Sequence, residues 1–192
     1  IIGTLCSSHM HGRGYVKNGD ANAASYIRRE FQKIGLSPYT PDYYQPFGIR
    51  VNTFPGAMSL KINGKSLIAG RDFMIDPSSG GYSGKIEPFY VPLHALAHNN
   101  IDSLLAVAKG KVLIIDTRLL HGFNANDKAG VNSNLNKLFA PLISSIKAVI
   151  ELTDEKLSFG ISSVAYAIPY FRVRALACPD TILEVSINVR NQ

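Results

Sequence analysis

The chain has no tryptophan, two cysteines and three methionines in 192 residues. Cys6 and Cys178 are too few for a disulfide framework or a cysteine-ligated zinc site, which leaves two buried thiols or a single long-range bridge. No apolar run approaches the roughly 18 residues that would span a bilayer, so no membrane span is expected. Charged residues make up only 18% of the chain, and the net charge of +6 is dispersed. Arg28, Arg29 and Lys33 fall on one helical segment, and Lys61 and Lys65 flank a turn. Without a dense basic run interleaved with aromatics, nucleic acid is not an expected partner, and the charge reads as a mildly basic solvated surface. Ile1-Ile2-Gly3 opens the chain with no initiator Met, no basic leader and no cleavage site, so a mature or excised segment is expected.

What is present is ordinary globular material, 46% hydrophobic, and long enough for one large domain or two small ones. Ala24, Ile27, Phe31 and Ile34 recur at helical spacing, which predicts an amphipathic helix over 20–35 that is capped from Asn18-Gly19-Asp20 and stopped at Gly35, ahead of Pro38. Residues 41–55, rich in Pro, Tyr and Phe, read as an extended connection. Met58, Leu60 and Ile62 alternate up to Asn63-Gly64, the preferred two-residue hairpin turn, and Leu67 begins the return strand. Further strands are expected over 85–91 (interrupted by Pro88), 111–116, 148–152, 164–173 and 182–189, with helices over 101–108 and 134–145 and a loop over 76–81. The fold class that follows is α/β (mixed), an N-terminal helical arm over 1–45 and a β-rich α/β domain over 46–192.

Candidate chemistry is thin. His9 and His11 share a face if extended, yet no carboxylate lies near them in sequence before Asp20. His94 and His98 have the i, i+4 spacing of zinc helices, but Ala95-Leu96-Ala97 between them holds no catalytic Glu. His121 has no partner in sequence. Gly64-Lys65-Ser66 ends like a phosphate-binding loop, but Ser59 stands where its leading Gly belongs. In Gly80-Gly81-Tyr82-Ser83-Gly84 the Ser is displaced by one place from a nucleophile elbow. No catalytic residue and no metal ligand is assigned.

The opening segment is more specific. His11-Gly12-Arg13-Gly14, then Gly19, Ala23-Ala24, Tyr26-Ile27, Phe31 and Gly35-Leu36-Ser37-Pro38, resembles the N-terminus of family twenty-eight zinc metallopeptidases, of the aminopeptidase Y and glutamate carboxypeptidase type. Tyr44-Gln45-Pro46-Phe47 and Asn52-Thr53 fit its continuation. Gly110-Lys111-Val112-Leu113-Ile114-Ile115-Asp116, the segment 138–150 and Ile168-Pro169 are similar to a protease-associated domain, the noncatalytic module inserted ahead of the zinc domain in many such enzymes. The family's catalytic motifs are missing: none of the five histidines precedes an Asp by two residues, and none of Glu30, Glu87, Glu151, Glu155 and Glu184 adjoins another.

The resemblance therefore implies a noncatalytic N-terminal and protease-associated portion of a secreted or periplasmic aminopeptidase, ending at a lead-in to the zinc domain. Zinc is expected in that further domain and no cofactor in this chain. The expected partners are that catalytic domain and a peptide or protein substrate, with a homodimer through the exposed helix as another way to cover Ile27, Phe31 and Ile34. A free-standing binding module of the same fold is the alternative. Arg13 is given a structural role, its fork tying the leader loop to carboxylate or carbonyl oxygens.

Overall fold

The computed structural model describes residues 1–14, 16–40, 42–98, 101–138 and 145–192. The chain divides into two compact units, Ile1–Gly48 and Ile49–Gln192. Among the described residues no helix is long and apolar enough to cross a membrane.

In the first unit a short helix α1 (Ile2–Leu5) leads through tight turns into α2 (Gly19–Lys33). The cap of α2 differs from the expected one. Asn18 sits in the left-handed region with φ 56° and its side chain caps nothing; instead the Asp20 amide donates to the Gly14 carbonyl at 2.8 Å. Gly19 is required here, because a Cβ would stand 2.4 Å from the Met10 carbonyl oxygen. The far end closes as expected, with Gly35 at φ 75° and the Leu36 amide donating to the Phe31 carbonyl. Beyond it the chain folds back, and Tyr43 sets its ring 6.4 Å from Phe31 while its hydroxyl donates to the Leu36 carbonyl.

The second unit has three layers. An antiparallel sheet of four strands, in the order β2-β1-β9-β4, is built from β1 (Ser59–Ile62), β2 (Lys65–Ser66), β4 (Tyr82–Ile86) and β9 (Val185–Val189). A five-stranded sheet, in the order β3-β8-β7-β6-β5, comprises β3 (Phe73–Ile75), β5 (Pro88–Tyr90), β6 (Val112–Asp116), β7 (Ala148–Thr153) and β8 (Tyr170–Arg174). Strands β5 to β8 run parallel, and β3 is antiparallel at the edge. The two sheets share a core of Leu60, Ile62, Ile86, Ile114, Ile150, Phe171 and Ile187, with Phe73 edge-on to Phe171 at 5.7 Å. Helices α3 (Leu93–His98), α4 (Ile101–Val107) and α5 (Ala125–Leu138) cover the opposite face of the five-stranded sheet through Leu96, Leu105, Leu113, Ile115, Val131 and Val149. With both faces covered, β6 and β7 read as near-continuous apolar runs for the reason parallel strands generally do.

The α/β (mixed) class is what the chain adopts, and several boundaries move. The strand expected over 85–91 is two strands in different sheets: the chain leaves the first sheet after Ile86, and Pro88, with no N–H to give, opens β5 at the edge of the second. The helix expected over 134–145 begins nine residues earlier, at Ala125, because Asn124 caps it by accepting from the Asp127 amide at 2.9 Å. Its expected second half, over 139–144, lies outside the described residues. Of the strand expected over 164–173 only Tyr170–Arg174 forms, since Gly80 takes the Ile168 carbonyl instead. The strand expected over 182–189 starts at Val185.

Candidate functional site

A groove of about 780 Å³ opens beside α5, over Glu151 of β7 and Tyr170 of β8. One wall is Lys128, Asn132 and Asn136 of α5; the floor is Glu151 and Tyr170, and the rim is Thr117, Arg118, Asp154 and Glu155. The rim lies at the carboxyl ends of β6 and β7, where open α/β sheets generally bind ligands, because the backbone splays apart there into separate loops.

Glu151 is the one charged residue within β7, and three neighbours hold it. The Tyr170 hydroxyl donates to its Oε2, the Thr117 hydroxyl lies 3.2 Å from its Oε1 and shares its single hydrogen with the Leu152 carbonyl at 3.0 Å, and Arg172 Nε lies 3.3 Å away as an ion pair without hydrogen-bond alignment. Arg172 also donates through Nη2 to Glu155 at 2.9 Å. Burial, and then the adjacent Glu151 charge, push the Tyr170 hydroxyl far above the ordinary phenol range, so it stays a donor. Burial acts to lower the Arg172 guanidinium, but Glu151 and Glu155 outweigh it and hold it above its usual value.

The rest of the rim is mixed in sign. Arg118 is paired with Asp116 by two hydrogen bonds, at 2.8 and 2.7 Å, whereas Lys128 makes no ion pair among the described residues. Burial raises the Cys178 thiol to about 11, which keeps it protonated and unreactive near neutral pH. Both cysteines are free thiols. The groove thus offers polar side chains of both signs.

The residues singled out in the sequence take other places. Arg13, at φ 61°, donates through Nη1 to the Leu5 carbonyl at 3.2 Å and to Cys6 Sγ at 3.8 Å. His9 and His11 are exposed in the leader turn, and no third ligand joins them among the described residues. His121 lines the groove. His94 and His98 lie on α3, and the fold brings Asp127 to them from α5. Sequence reasoning missed Glu151, although a lone charge inside Ala-Val-Ile-Glu-Leu-Thr was a usable signal; nothing in the sequence pointed from His98 to Asp127, 29 residues on. No protein-family model, no curated protein and no solved structure matches the chain.

Proposed function

We propose that the chain is the noncatalytic N-terminal and protease-associated portion of a secreted or periplasmic zinc-dependent aminopeptidase, which shapes access for peptide substrate or holds partners without performing the hydrolysis. The observation that carries the proposal is the leader motif joined to an uncovered apolar stripe. His11-Gly12-Arg13-Gly14 turns the chain into α2, which leaves Ile27 38%, Phe31 40% and Ile34 69% exposed even with Tyr43 folded over Phe31. A contiguous stripe of that kind is costly in water and marks a surface that something else covers. In this proposal the cover is the zinc-bearing domain of the same polypeptide, and a second copy of the chain is the competing cover.

The coding sequence beyond Gln192 is the direct test. An H-x-D motif followed by an adjacent Glu-Glu pair within a few hundred codons is the expected result. A stop codon soon after Gln192 would sink the proposal in favour of a free-standing binding module. One observation favours that second reading: the groove is lined wholly by residues between Thr117 and Tyr170, so the second unit builds it alone.

A further inference from the structure

The geometry points to a binding site for a zinc-class divalent cation formed by His94, His98 and Asp127, on the helical layer of the second unit. The donor atoms of the three side chains all lie within 4.8 Å of one another, and His98 Nε2 is 3.4 Å from Asp127 Oδ1. Ligand atoms around a tetrahedral zinc, each about 2.0–2.2 Å from the ion, stand roughly 3.4 Å apart. One edge of the site already has that spacing, and the other ligand atoms stand within 4.8 Å. Two imidazole nitrogens and one carboxylate suit zinc, nickel or copper; calcium and magnesium prefer all-oxygen shells.

The surroundings hold each ligand in place. Spaced i, i+4 on α3, His94 and His98 project from one helix face. His94 stacks on Phe123, with ring centroids 4.4 Å apart and planes 26° apart. Asp127 sits in the first turn of α5, where its amide donates to Asn124 Oδ1 and its Oδ2 accepts from Asn124 Nδ2 at 3.0 Å, which leaves Oδ1 turned to His98. The two helices are locked at this distance: a Cβ on Gly130 would meet the Ala97 carbonyl oxygen at 2.5 Å, and Asn134 donates to the Leu96 carbonyl at 2.6 Å. A carboxylate whose second oxygen is fixed by a neighbour is the usual outer support of a metal ligand. An ion here would stitch α3 to α5 and leave a fourth position to water.

The inference stands independently of the aminopeptidase proposal. Zinc titrated calorimetrically into the full 192-residue chain, freed of metal beforehand, should bind at one equivalent, and calcium should give no heat. His98→Ala and Asp127→Asn should each weaken zinc at least roughly tenfold, while His121→Ala and the double variant His9→Ala/His11→Ala leave it unchanged. Because His98 is 59% exposed, its truncation leaves the core intact, and unchanged thermal unfolding of the metal-free variants verifies that. Cobalt(II) in place of zinc should give visible absorption that the same two variants abolish. Absence of zinc binding by the unaltered chain, or binding that survives both His98→Ala and Asp127→Asn, overturns the inference.

Discussion

Glu151 illustrates how its neighbours fix a single charged residue inside a strand. Its neighbours Ile150 and Leu152 are buried against the first sheet, so the alternation of the strand points Glu151 to the helical side, beside Tyr170 and Arg172. Held by Tyr170 and Arg172, the carboxylate orders the floor of the groove. Glu151→Gln keeps an acceptor for Tyr170 but leaves the half-buried Arg172 with Glu155 as its one carboxylate partner among the described residues. The variant should lose about 1–3 kcal/mol, read as a lower urea midpoint at unchanged slope. A loss below about 0.5 kcal/mol would mean that Glu155 alone holds Arg172.

Among the elements, the contact of α3 with α5 carries most of the functional argument. The helices approach so closely that only Gly fits at 130, and Gly130→Ala must push Ala97 aside. A destabilisation of about 1–3 kcal/mol is expected, together with weaker zinc binding as Asp127 moves away from His98; unchanged zinc affinity would separate the site from the packing. The elements also show what a sequence can disclose. Helix α2, the Asn63-Gly64 turn, β6 and β7 were legible because periodicity, turn chemistry and apolar runs are local properties of their own residues. The split at Glu87 was not, because Pro88 announces an interruption without saying that the next three residues join another sheet. Helix α5 was misplaced because its start depends on one Asn–Asp hydrogen-bond pair within a polar stretch of weak periodicity. The candidate sites fare worse for the same reason: Asp127 reaches His98, and Tyr170 reaches Glu151, only through tertiary packing.

At the scale of the whole molecule, the proposed function gives binding and access to this chain and would leave hydrolysis to a further domain. In that proposal the groove, the cation site and the apolar stripe of α2 are surfaces for binding. The measurement that tests this most directly is aminopeptidase turnover by the purified 192-residue chain on aminoacyl anilides, with saturating zinc. The account predicts no release above that of zinc in buffer, even when one equivalent of the ion is bound. Zinc-dependent turnover that disappears in His9→Ala/His11→Ala or in His98→Ala would contradict it, and would place the chemistry within this chain.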